Sequence, residues 1–302
     1  MRAATGAALG IALLAACSPS EGPAARRAAL DLRAREVRTR AAAADSAARA
    51  GQRRDDPIAL WIMPYHYAEI SALTLTADGR LYGLGDENSE IWQIDYLRGV
   101  VLGHFTVGDP PIQADFEGMV AVDSALYLMD SKGRIYRTVI GANGATVPYD
   151  EFDSALGKEC EFEGLSWDPA SSMLLLGCKH VGKGAPRDAL VIYRVSPGGR
   201  GAAGAPIVIP QAALAAAGGQ WHEFSVSELT RDPRTGNFLV MAALQRALVE
   251  ITPSGQVVKA GAIPGHHRQP EGAAITSDGR LIVADEAAGD RPIISVYPST
   301  GI

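Results

Sequence analysis

The chain has 302 residues, with 28 Lys and Arg against 34 Asp and Glu, for a formal net charge of −6. A weakly acidic chain lacks the basic surface that nucleic acid demands, which excludes nucleic acid as a partner. With 33 Gly, 18 Pro and a hydrophobic fraction of 47%, the length is ample for one turn-rich globular domain with a large core.

Residues 1–16 read as a processing segment. Met1-Arg2 supplies a short positive region, and Ala8 to Ala16 an apolar run too short to span a bilayer. The run closes as Leu14-Ala15-Ala16-Cys17, which resembles a bacterial lipobox, in which the Cys is lipidated and becomes the first residue. Ser18, standing where Asp would signal retention, resembles outer-membrane sorting. The expectation is a lipid-anchored protein of the bacterial envelope, held through Cys17 at the outer membrane with its domain facing the periplasm. An ordinary secretory signal with a chance Cys is the alternative. Residues 17–56 follow as a tether. Its 22–53 stretch is largely Ala and Arg, helix-prone but with little apolar stripe to bury.

Residues 57–302 form the expected domain, organised by a repeat. Ser71 to Glu87 contains Asp78-Gly79-Arg80-Leu81 between two short apolar runs, and Asp278-Gly279-Arg280-Leu281 recurs in the same setting. Such tight turns mark β-hairpins. Looser copies begin at Glu117, Glu163 and Ser227, so the starts 71, 117, 163, 227 and 271 lie 46, 46, 64 and 44 residues apart. Short strands at that period are the signature of β-propeller blades. The predicted fold is therefore all-β, a five-bladed propeller. A sixth blade hidden in the 64-residue interval is the alternative. Pro57 to Met63 is a strand with no local partner and is expected to close the ring beside the last strand, near 292–297.

Blade one continues through Glu90 to Asp95 and Gly99 to Val107, and blade two from Phe116 to about Val147. Blade three runs through Ala189 to Val195 and Pro206 to Pro210, with a loop at Gly198 to Gly204. Gln211 to Ala217 reads as a helical turn before blade four. Cys160 and Cys178 flank the hairpin 162–178. Pairing around its turn puts them at one end, so a disulfide is expected in an exported protein. The spacing is not a zinc pattern.

Aligned on their turns, the repeats show an acidic column: Ser71, Glu117, Glu163, Ser227 and Glu271. Two residues earlier stand Glu69, Asp115, Glu161, Ser225 and Gln269. These positions open the first strand of each hairpin, which in a propeller lines the central channel. Strand alternation puts both columns on one side and Ile70, Phe116, Phe162, Val226 and Pro270 on the other. Carboxylates converging at a channel mouth repel one another unless a cation sits among them. A calcium ion, which prefers oxygen ligands, suits such a set, and so does a basic group of a ligand or partner. The structural alternative is that each Glu bonds backbone N–H groups of the next blade and locks ring order. Asp86 and Asp285, at the ends of second strands, are read as further members of the mouth. His180 and His222 are the weak candidates for a general base, with His66, His266 and His267 in nearby loops. The chain carries no Gly-x-Ser-x-Gly elbow, phosphate loop, His-Glu-x-x-His or dinucleotide fingerprint.

Glu69-Ile70-Ser71, Asp115-Phe116-Glu117-Gly118, Glu161-Phe162-Glu163-Gly164 and Gln269-Pro270-Glu271-Gly272 together resemble the SdiA-regulated (YjiK-like) family over about residues 60–298. The resemblance implies an envelope-anchored β-propeller of unsettled biochemical function, with a ligand or calcium site on Glu117, Glu163 and Glu271. Blade four departs from the pattern at Ser225-Val226-Ser227-Glu228, which leaves its contribution open. Two functions follow as expectations. One is a monomeric binding or scaffolding propeller for a small molecule or an envelope protein. The other is a calcium-dependent hydrolase (an esterase, lactonase or phosphoesterase) acting from the same mouth.

Overall fold

The computed structural model describes residues 55–182, 186, 188–219, 221 and 223–299. The signal segment, Cys17, all but the last two residues of the tether, and His222 lie outside the described residues. Five antiparallel blades are arranged as a propeller, as the repeat period predicts. Their innermost strands, Ile70–Leu75, Phe116–Val122, Cys160–Asp168, Glu228–Arg231 and Pro270–Ile275, contact one another in that order, and the last returns to the first. The 64-residue interval holds no sixth sheet among the described residues. It is taken up by the long hairpin Cys160–Asp168/Met173–Val181, the two outer strands of blade three, and a helix at Gln211–Ala216.

The ring closes through the N-terminal strand Ala59–Ile62, which pairs antiparallel with Ile293–Tyr297, Ala59 opposite Val296 and Ile62 opposite Ile293. Blade two differs from expectation at its edge. Its outer strand is Tyr149–Asp153, whereas Thr146–Val147 crosses to blade one and pairs parallel with Thr106 and Val107. Pro148 separates the two pieces, and its carbonyl accepts the Thr138 hydroxyl.

The sequence repeat becomes structure through its turns. In blade one the Thr76 hydroxyl bonds Asp78 and accepts the Arg80 N–H, while Gly79 takes φ +82°; Thr276, Asp278, Arg280 and Gly279 (φ +85°) do the same in blade five. A side chain that copies a backbone turn, next to a residue free to adopt positive φ, fixes a hairpin without tertiary help. In blades three and four Asp168 and Asp232 do this work, accepting the N–H of Ala170 and Arg234.

The apolar faces meet between blades rather than around one centre. Five buried clusters occupy the five blade–blade interfaces: Leu84 with Phe116 between blades one and two, Met129 with Leu176 between two and three, Ile192 with Phe238 between three and four, Met241 with Val283 between four and five, and Ile282 with Leu73 between five and one. The methionines of these strands are packing, as their alternation suggests.

Candidate functional site

The first strand of four blades slips against the second at one recurring place. The register shifts fall between Ile70 and Ala72, Phe116 and Gly118, Phe162 and Leu165, and Pro270 and Gly272. Ser71, Glu117, Glu163 and Glu271 are therefore bulge residues, and a bulge bends its strand and re-aims a side chain. The residue before each, Ile70, Phe116, Phe162 or Pro270, is buried in the blade packing. The residue after it needs room. Gly164 adopts φ +85°, and a Cβ there would stand 2.7 Å from Leu229 N of blade four. A Cβ on Gly118 would stand 2.7 Å from Leu165 Cβ of blade three. The innermost strands thus come close enough to bring three blades' carboxylates together.

Glu117, Glu163 and Glu271 each offer an oxygen, all within 4.8 Å of one another. Lys179 joins them, its Nζ 2.5 Å from Glu163 Oε2. A second trio, Glu69, Asp86 and Glu286, has the same spacing. The two are bridged by Gln269, whose amide donates to Glu271 Oε1 at 3.0 Å and to Glu286 Oε2, and by a hydrogen bond between the carboxyl groups of Glu286 and Glu271.

This crowding changes the acidities. Burial, followed by the charge of Glu163, pushes Glu117 up to about 9. Burial pushes Glu163 up to about 8 although Lys179 pulls it down. Burial and the bond to Glu271 push Glu286 up to about 10, and burial with Glu69 raises Asp86 to about 6. Burial disfavours the Lys179 ammonium, but Glu163, Glu117 and Glu271 outweigh it and hold it above the ordinary lysine value. Near neutrality the mouth therefore holds protons that an incoming cation can displace.

The remaining predicted residues divide. Asp115 is exposed on the rim. Glu161 and His180 are also exposed there and face each other at 3.3 Å. Asp285 is not at the mouth. It is 3% exposed, receives His267 Nδ1 at 2.6 Å, and accepts the N–H groups of Arg268 and Gln269. His267, read as a rim residue, is buried with it and meets Tyr297 Oη at 2.8 Å. The reason is register. Asp285 pairs with Pro270 as Gly85 pairs with Ile70, so Glu286 is the counterpart of Asp86. Matching the two Asp-Gly-Arg-Leu turns at their offset finds Glu286, whereas matching by residue type selects Asp285.

Blade four takes the opposite part. Glu228 stands where blades two, three and five have Gly118, Gly164 and Gly272, and it is 2% exposed. Its carboxyl accepts the N–H of Leu229 at 2.6 Å and of Ala273 at 3.4 Å, and is also bonded by the Leu73 N–H. Burial holds its pKa well above the usual carboxylate range. The blade-locking role considered for the whole acidic column thus belongs to Glu228, which ties blade four to five and one. Above it, blade four offers small groups, and a cleft of 380 Å³ opens between Ser225, Ser227 and Leu244 on one side and Glu163, Lys179 and Glu271 on the other.

Cys160 and Cys178 form the expected disulfide, with Cα atoms 5.7 Å apart. It ties the strand ends that carry Glu161, Glu163, Lys179 and His180.

No family model and no curated protein matches the chain. Among solved structures it is similar to the glutaminyl cyclase of Myxococcus xanthus, at 13% identity and a TM-score of 0.54 over 80% of this chain and 95% of that one. It is also similar to a luciferin-regenerating enzyme, at 9% identity and a TM-score of 0.50 over 82% of this chain and 96% of that one. At such identities the likeness is one of fold.

Proposed function

We propose that the chain is an envelope-anchored binding propeller of the SdiA-regulated type, whose acidic mouth takes a calcium ion and, beside it, a small ligand in the cleft over blade four. The observation that carries this reading is the convergence of Glu117, Glu163 and Glu271. Two oxygens on one calcium ion, each about 2.3–2.6 Å away, stand at most about 5 Å apart. The three carboxylates, within 4.8 Å of one another, meet that limit, and the donor set is oxygen only. Lys179 occupies one oxygen of Glu163, so a bound ion would draw on the other oxygens of the trio. Bound calcium would supply a fixed positive charge that can orient an oxygen-bearing ligand. The chain's own residues shape the cleft and, through the Ser225 and Ser227 side, leave it open.

The test is calorimetric titration of the protein with calcium, repeated on Glu117→Gln, Glu163→Gln and Glu271→Gln. Saturable binding by the parent, weakened at least about tenfold in each folded variant, is the expected result. No binding by the parent would reject the site. The competing hydrolase reading rests on the same mouth, with the exposed Glu161–His180 pair on its rim. Turnover of esters or phosphoesters that is abolished by these substitutions would favour it over a binding module.

A further inference from the structure

The opposite end of the channel carries a separate cavity that the proposed function does not use. It measures 440 Å³ and is lined by the first strands of all five blades and the turns that follow them, a size typical of small-molecule sites. Its inner wall is apolar, made by Leu73, Met119, Leu165 and Leu229, each no more than 2% exposed. Farther out the repeat supplies one residue per blade from a single column: Leu75, Ala121, Trp167, Arg231 and Ile275. That column places Trp167 and Arg231, both half-buried residues, on adjacent blades.

Arg231 is the informative member. Its side chain makes no hydrogen bond or ion pair with any described residue. The carboxylates around this end are already engaged: Asp78 by Arg80, Asp232 by Arg234, Asp278 by Arg280, and Asp168 by the Ala170 N–H and the Ser171 hydroxyl. The Ser166 side chain, on a residue 2% exposed and lining the cavity, likewise has no hydrogen-bond partner among the described residues. Asp123, exposed at the rim, is the one carboxylate in the lining.

We infer that this cavity is a binding site for an amphipathic monoanion, a carboxylate on an aliphatic or aromatic body. The body is held against the inner leucines and Trp167, and the carboxylate is held by Arg231. An unpaired guanidinium offers a planar fork that matches a carboxylate. An indole contributes apolar area and a flat face, and Asp123 disfavours a second negative charge. The mouth at the other end gathers the carboxylates of Glu117, Glu163 and Glu271, so the two ends of one channel differ in chemistry.

The experiment is titration of the protein with 2-naphthoate and with decanoate, followed by calorimetry and tryptophan fluorescence, with 2-naphthalenemethanol as the uncharged comparison. Saturable one-to-one binding of at least one carboxylate is expected, at least about tenfold tighter than the alcohol. Arg231→Gln is expected to lose that tenfold, and Arg134→Gln on the outside of blade two to lose none. Thermal unfolding checks that each variant folds. Should Arg231→Gln not fold, Arg231→Lys carries the comparison, with binding weakened because an ammonium lacks the fork. The inference is overturned if neither carboxylate binds up to about 5 mM, if the alcohol binds as tightly, or if Arg231 substitution in a folded protein leaves binding unchanged.

Discussion

At the scale of single residues, the mouth is a set of acids held away from their ordinary charge state, and pH reads this directly. Glu117 rises to about 9 in the folded chain from its ordinary value of 4.5. The folded state therefore binds more protons than the unfolded chain between those values. Its contribution to stability is fully present below about 4.5 and is lost as pH rises through about 9. Glu163, raised to about 8, acts in the same direction. Without calcium, the melting temperature is expected to fall between pH 5 and pH 9. Glu117→Gln, which cannot ionise, should flatten that fall and gain about a few degrees over the parent at pH 9 while matching it near pH 4, below the unfolded-chain value. A parent whose stability is level across this range would contradict the assignment. Calcium must displace the same protons, so its affinity should climb from pH 7 to pH 9 and its uptake should release protons, measurable as a dependence of the calorimetric heat on buffer ionisation enthalpy. Lys179→Met removes the ammonium beside the almost fully buried Glu163. It is expected to cost about 1–2 kcal/mol, less than a fully buried pair would because Lys179 is partly exposed.

At the scale of elements, the blades were legible in the sequence and the bulges were not. The Thr-x-Asp-Gly-Arg turns are local chemistry, fixed by Thr76 and Asp78 within five residues, so the repeat announced them. The Cys160–Cys178 bridge was legible for the same reason, being the two ends of one hairpin. A bulge depends on how the neighbouring blade crowds the strand, and that crowding is long-range: Gly164 is set by Glu228 and Leu229, some 65 residues away. Strict alternation hence assigned the acidic column to the channel but could not see the slip of register that aims it. Nor could it see that Asp285 lies one position out of step with Asp86. Two glycines separate these effects. Gly164→Ala meets both a positive φ and a backbone 2.7 Å away, whereas Gly198→Ala, at φ +78°, meets open space. The first is expected to cost about 2–4 kcal/mol and the second about 1 kcal/mol, read as shifts in the denaturant midpoint. Equal costs would show that the close approach of blades three and four does not matter. Replacing both cysteines by Ala should lower stability by about 3 kcal/mol, the order expected for a loop of this length, and loosen Lys179 and Glu163, with weaker calcium binding as the second readout.

At the scale of the whole molecule, the ring has five interfaces, each with its own buried cluster, and none of them is a central core. A blade in such a ring is stable only if both neighbours are in place, and the one covalent gap, between the chain's ends, is bridged by Ala59–Ile62 on Ile293–Tyr297. The unpaired strand made this closure legible before the structure, because an apolar run with no local partner must pair at a distance. The residues leading to that strand are those expected to carry the lipid at Cys17. In the proposed envelope-anchored protein, the strand that shuts the ring is therefore also the one that meets the tether, and Cys17→Ser is expected to release an intact propeller from the membrane fraction. The closure itself can be loaded separately. Ala59 is 3% exposed and packs in the cluster between blades five and one, so Ala59→Asp places an unpaired carboxylate there at a cost of about 3 kcal/mol or more. If the ring behaves as one cooperative unit, Ala59→Asp shifts a single unfolding transition to lower temperature by several degrees and leaves it single. The calorimetric and van't Hoff enthalpies should remain equal. A ring that tolerated an open fifth blade would instead show a small early step followed by a main transition at the parent's temperature. Between the two steps Glu117 and Glu163, on blades two and three, would keep their places, but Glu271 on blade five would be lost from the trio. Calcium titration at a temperature between the two steps would then find binding weakened while most of the sheet signal survived. The cooperative reading predicts that binding and sheet signal disappear together.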